Sequence, residues 1–240
     1  IHYTFELTEI ATGLRYDSNL CSIPSNEVPD YKDRVLDTYK SGELGKLIIK
    51  EYPTASANPA HFRALINDLA LKKNFKPDII FIDYLNICAS ARIKAGANVN
   101  SYTYIKAIAE ELRGLAVEHN VPIVSATQTT RTGYSNSDPG LEDTSESFGL
   151  PATADFMFAL IATEDLEKDG KIMVKQLKNR YNDPTMYKRF LVGVDRARMK
   201  LYNVDNAVDL SSDKEEEYDF EEMAAEQSRN TQSKFTSFIL

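Results

Sequence analysis

The chain has 240 residues, 36 of them acidic against 28 basic, for a formal net charge of −8, and 42% are hydrophobic. That is enough for one α/β core, since single cores stop growing near roughly 250–300 residues. The charge excludes a protein that coats nucleic acid by bulk attraction, no run of about 18 apolar residues is present to span a membrane, and two isolated cysteines with three scattered histidines offer no zinc-ligand spacing.

Ile1-His2-Tyr3-Thr4-Phe5 has strand character and none of the basic, apolar or cleavage regions of a signal peptide. With no methionine and a strand at its start, the chain reads as a fragment. Strands are expected at residues 1–5, 47–51, 78–83, 122–127, 156–162, 172–178, 190–195 and 200–204. The continuously apolar Ile79-Ile80-Phe81-Ile82 and Ile123-Val124 fit central strands covered on both faces. A helix at 59–73 carries Phe62, Leu65, Ile66 and Leu69 on one face, with Asn58 and Pro59 as its cap and first turn. A second, at 102–119, repeats Ile105, Ile108, Ala109, Leu112, Leu115 and Ala116 at helical spacing. Alternating strands and helices predict an α/β fold, a mostly parallel sheet with helices on both faces, and the last four strands antiparallel at one end. Residues 1–204 form that domain. Residues 205–240 form an acidic, disordered tail, with ten acids against Lys214 between Asp205 and Glu226, ending in Phe235, Phe238, Ile239 and Leu240.

Four places could carry chemistry. Asp83 ends an apolar strand, where a carboxylate at the carboxyl edge of a sheet can hold Mg²⁺ through water. Glu6 follows the first strand, with a helix expected after it, and could polarise a water; the plainer reading is an acid at a helix N-terminus. Gln128 ends the strand at 122–127 and could sense a phosphate or orient a water, or be an ordinary hydrogen-bonding amide. Lys178 and Arg180 leave a strand two residues apart and could clamp phosphoryl oxygens, or form a solvated basic strand end.

The order of these pieces resembles the RecA-like domain of DnaB-family hexameric replicative helicases. Phe5-Glu6-Leu7 is similar to the family's strand ending in Leu-Glu-Met, and Asp83-Tyr84-Leu85 to its Asp-Tyr-Leu. Residues 122–128 resemble its strand ending in Ser-Gln, residues 141–155 its Asp-Leu-Arg-Glu-Ser-Gly to Asp-Ala-Asp segment, and Lys178-Asn179-Arg180 its Lys-Gln-Arg. Residues 101–103, 106–113 and 149–157 look most like the T-even-type phage branch. The resemblance implies a RecA-like P-loop NTPase core and an ATP-dependent 5′→3′ helicase working as a homo-hexameric ring on single-stranded DNA in the cytoplasm of a bacterial host. ATP and Mg²⁺ are the implied cofactors. Glu6 would activate water, Asp83 bind Mg²⁺, and Gln128 couple the γ-phosphate to the DNA loops. Lys178 and Arg180, with Tyr181 beside them, would reach the neighbour's nucleotide. Arg92, Lys94, Arg131, Glu146 and Gly149 would meet DNA. A primase, a helicase loader, and a sliding clamp or single-strand-binding protein are the implied partners.

Two departures stand out. No GK[ST] loop occurs in the 240 residues; in the family it precedes the Glu-bearing strand, so it is expected upstream of Ile1, and the chain alone is expected to lack ATPase. Ser145 stands where the family has a basic residue, which weakens one expected backbone contact. The Gly-, Asn- and Ser-containing stretches 89–100 and 129–143 are the candidate DNA loops. Two other readings stay open at this point: a RecA-like recombinase-type ATPase, and a non-catalytic fragment that acts through partners alone.

Overall fold

The structure is a computed structural model that describes residues 1–94, 98–129, 140–141, 149–183 and 186–204. Its strands and helices run in chain order: β1 (His2–Thr4), α1 (Glu9–Cys21), a 3-10 turn (Val28–Tyr31), α2 (Lys32–Lys40), β2 (Ile49–Glu51), α3 (Pro59–Lys73), β3 (Ile80–Asp83), a second 3-10 turn (Leu85–Ile87), α4 (Ser101–His119), β4 (Ile123–Ser125), α5 (Gly149–Thr153), β5 (Phe156–Ile161), α6 (Glu164–Lys168), β6 (Lys171–Asn179), β7 (Arg189–Asp195) and β8 (Lys200–Asn203).

The first four strands form a parallel sheet in the order β2-β1-β3-β4. Strand alternation sends Tyr3 and Phe5 to one face and His2 and Thr4 to the other. Tyr3 stacks on Phe62 of α3, with ring centroids 4.3 Å apart, and donates its hydroxyl to the Phe62 carbonyl. Ile80 and Ile82 of β3 join this core, as do Ile105, Ile108, Leu112 and Leu115 of α4. Burying each such side chain contributes about 1.5–3 kcal/mol. Both helices begin as their caps dictate: Asn58 accepts from the Ala60 and His61 backbone N–H groups with Pro59 in the first turn, and Asn100 accepts from Thr103. On the opposite face α1, capped by Thr8, brings Tyr16 to His2 at 2.9 Å.

The last four strands form their own antiparallel ladder, β5-β6-β7-β8, with a register shift at Met157/Phe158. Gly193 lies opposite Tyr202, whose ring fills the space any Cβ would need. Among the described residues this ladder makes no strand pairing with the parallel sheet; a parallel sheet flanked by helices, followed by four antiparallel strands, is the expected α/β architecture. The two halves meet instead through the packing of α4 on α5 and through the β7–β8 turn, where the Ala197 and Met199 carbonyls accept from Ser25 and Asn19.

One strand departs from its reading. Among the described residues β4 is the edge of the parallel ladder, and Val124 is 43% exposed rather than covered on both faces. An apolar run reports that a strand is apolar, not which neighbours cover it. Helix α2 fully buries none of its residues, and at two and a half turns it is too short to repeat a stripe that would betray it. Helix α6 carries a legible start signal, a Thr163 cap followed by Glu164, Asp165 and Glu167, although no helix was expected there.

Candidate active site

Because β1, β3 and β4 are parallel, their carboxyl ends reach the same edge of the sheet. Thr4 pairs with Asp83 in register, and Phe5 N–H donates to the Asp83 carbonyl at 3.1 Å. Glu6 is the next residue, exposed in the bend before Thr8 caps α1. Neither the Glu6 nor the Asp83 carboxylate accepts a hydrogen bond among the described residues, and Asp83 is half-buried.

β4 is stitched to β3 by the Ser125 hydroxyl, which donates to the Ile82 carbonyl at 2.8 Å. Beyond it Gln128 donates its Nε2 amide to the Tyr84 hydroxyl at 3.1 Å, so this amide hangs on the residue directly after Asp83. Among the described residues no group of three or more His, Cys, Asp or Glu side chains is gathered for a metal. A single unpartnered carboxylate suits Mg²⁺, which keeps most of its waters and takes one or two carboxylates together with substrate phosphates.

The basic residues lie elsewhere. Lys178 is in β6, and its ammonium donates to the Pro151 and Ala152 carbonyls of α5. Arg180 follows β6 and donates to Asp155 Oδ1 at 2.8 Å and to the Ala152 carbonyl at 2.9 Å. Asp155 also takes Arg113 of α4, at 2.9 Å to each oxygen. Burial opposes ionisation of Asp155, but the hydrogen bonds and charges of Arg113 and Arg180 prevail and hold its carboxyl below the usual range. Desolvation, then the charge of Arg180, lowers the Lys178 ammonium. Tyr181 is 78% exposed beside this group. A groove of about 540 Å³ opens here, lined in part by Glu110, Arg113, Ala152 and Arg180.

The predicted DNA residues fare differently. The Arg92 guanidinium is committed to α4, donating to Glu110, Glu111 and the Ala107 carbonyl. Lys94 is exposed and has no partner among the described residues. Gly149 is buried where α5 packs on the stem of Lys106. Arg131 and Glu146 lie outside the described residues, as does the tail. Sequence reasoning missed Glu111, whose nearly buried carboxylate accepts from Ser90 Oγ and from the Ala91 and Arg92 backbone N–H groups. Burial works against that charge, yet those hydrogen bonds hold its carboxyl below the usual range. It also missed Arg113 and Asp155 as partners of Arg180. Glu110, Glu111 and Arg113 read in the sequence as the solvated side of α4, and nothing local pairs them.

Known proteins resemble this chain in sequence and in fold. The sequence profile of the DnaB-like helicase C terminal domain matches residues 25–189. A DnaB-like replicative helicase of Enterobacteria phage T4 is 41% identical over 212 residues, covering 85% of this chain and 44% of that protein. The replicative DNA helicase DnaB of Mycoplasma pneumoniae is 28% identical over 138 residues, 56% of this chain and 28% of that protein. Among solved structures, an ATPase domain superposes with a TM-score of 0.67 at 18% identity, over 85% of this chain and 74% of that one. A DnaB-like replicative helicase solved for its interactions with primase gives 0.66 at 17% identity, over 85% and 51%. The chain spans less than half the length of the curated relatives it matches.

Proposed function

The chain belongs to the DnaB-like helicase C-terminal domain family, and from that premise we propose that it is the motor portion of an ATP-dependent replicative helicase that unwinds DNA 5′→3′ as a hexameric ring. The observation that carries this reading is the shared sheet edge, where Asp83 ends β3 and Glu6 follows the adjacent parallel β1, both carboxylates unpartnered among the described residues, and Gln128 is tied to the residue after Asp83.

In this reading Asp83 holds Mg²⁺ through water, and the ion, when bound with ATP, neutralises phosphate charge. Glu6 accepts the proton of the attacking water at a carboxylate oxygen, and its exposure at the sheet edge leaves room for that water. Gln128 transmits the state of the phosphate to the following loop. Lys178 and Arg180, with Tyr181 alongside, serve the nucleotide of the neighbouring protomer, in keeping with their place on a different sheet from Glu6. Lys94, exposed and without a partner among the described residues, joins Arg92 and Arg131 as a loop cation for a DNA backbone. The cradle for the phosphates, absent from this sequence, belongs to the rest of the polypeptide in this account. The bacterial cytoplasm is the proposed compartment, and a primase, a loader, and a clamp or single-strand-binding protein are the proposed further partners.

The test is an unwinding assay with the full-length protein on forked duplexes bearing either a 5′ or a 3′ tail. ATP-dependent unwinding of the 5′-tailed fork alone, by a species of six-fold mass, is the expected result. Unwinding from the 3′ tail would refute the polarity, and absence of DNA-stimulated ATP hydrolysis would refute the motor.

A further inference from the structure

We propose that Asp155, braced by Arg113, is the positioning residue for Arg180. The inference rests on the reading of Arg180 as a group that acts on phosphate. Asp155 grips Arg180 twice: its carbonyl accepts the Arg180 backbone N–H at 3.0 Å, and its carboxylate accepts the guanidinium at 2.8 Å. The Ala152 carbonyl takes the second terminal nitrogen at 2.9 Å. A long, flexible side chain is thereby reduced to one direction, and among the described residues its remaining N–H groups make no hydrogen bond.

Asp155 is itself held from behind. Arg113 donates to both of its oxygens at 2.9 Å and to the Thr153 carbonyl at 2.6 Å. Arg113 projects from α4, whose Leu112 and Leu115 are anchored in the main core. The brace therefore runs from a rigid helix, through one carboxylate, to the guanidinium. The charges do not cancel. Arg113 and Arg180 share the one Asp155 carboxylate, Lys178 donates only to carbonyls, and Glu110, the acid lining the groove, is paired with Arg92 and Lys106, so the cluster keeps positive charge beside an open groove. A cluster assembled only to join α4 to β6 needs no such excess, whereas an anion-binding group does.

The test uses steady-state ATPase and thermal unfolding of the full-length protein carrying Asp155→Asn, Arg180→Ala and both together. Asp155→Asn keeps the shape but removes the charge. It is expected to lower kcat about 100-fold, the scale of a misplaced catalytic group, with the KM for ATP little changed. Arg180→Ala is expected to lose about 1,000-fold. The double variant should match Arg180→Ala, because one effect runs through the other. Asp155→Glu should recover part of the rate. If Asp155→Asn does not fold, Arg113→Gln serves instead, with a smaller loss that also disappears in the Arg180→Ala background. Wild-type kcat in Asp155→Asn with Arg180→Ala inactive would overturn the positioning role and leave the reading of Arg180 intact. Additive losses in the double variant would likewise overturn it. Full activity in Arg180→Ala would remove the reading beneath it.

Discussion

The two central strands of the parallel sheet are enclosed, and β5 of the antiparallel ladder is not. β1 and β3 send Tyr3, Phe5, Ile80 and Ile82 into a core shared with α3 and α4, and polar groups surface at the sheet's carboxyl edge. β5 leaves Phe156, Phe158 and Leu160 between 47% and 60% exposed, and the segment around it is fastened by Arg113, Asp155, Lys178 and Arg180. Dispersion and water exclusion hold the first half; a backbone ladder holds the second, and directed ionic hydrogen bonds orient the groups at its end. The lesson is a division of labour: changes inside the first half should cost folding, and changes to the ionic cluster of the second should cost turnover.

Arg180→Ala in the full-length protein is the strongest way to break this contrast. It should cost about 1,000-fold or more in kcat, with a melting temperature near wild type, since exposed ion pairs contribute about 0–1 kcal/mol. Collapse of the fold with retained specific activity of the surviving molecules would reverse the assignment. Phe62→Ala tests the other side. It removes the ring that meets Tyr3, Phe5 and Tyr52 and should cost about 3–5 kcal/mol in urea unfolding; a loss under about 1 kcal/mol would mean that the stack is not the keystone of the core.

Glu111→Ala sharpens the boundary between the halves. It removes the acceptor of the buried Ser90 hydroxyl and of the Ala91 backbone N–H, while the Arg92 N–H keeps Ser90 Oγ, and should cost about 1–3 kcal/mol. The folded-state pKa of Glu111 lies below its ordinary value, so its contribution is present above the unfolded pKa and lost as pH falls through the folded one. The gap between wild type and variant should therefore narrow in acid, and a gap constant across that range would mean the charge is irrelevant. The smallest effect is expected from Arg63→Ala, whose exposed pair with Glu118 should be worth less than about 1 kcal/mol.

Much of the first half was legible. Asn58-Pro59 and the spacing of Phe62, Ile66 and Leu69 announce α3 because caps and stripes are local. The strand ends bearing Glu6, Asp83 and Gln128 were legible too, since an apolar run closing on a polar residue marks a sheet edge. What failed was tertiary. Nothing near Val124 says that β4 is an edge strand. Nor does the basic loop around Arg92 announce its ion pairs, because Glu110 and Glu111 lie 18 and 19 residues further on. The Arg113–Asp155 pair spans 42 residues and depends on how α4 meets α5. Helix α2 was hidden for a different reason: it is short and fully buries none of its side chains.

The proposed motor turns on Glu6 as the group that activates water at the edge of the parallel sheet. Nucleotide binding and steady-state ATP turnover, measured side by side on Glu6→Gln in the full-length protein, decide it. Binding at wild-type strength with turnover abolished is expected; turnover at the wild-type rate would remove Glu6 from the chemistry.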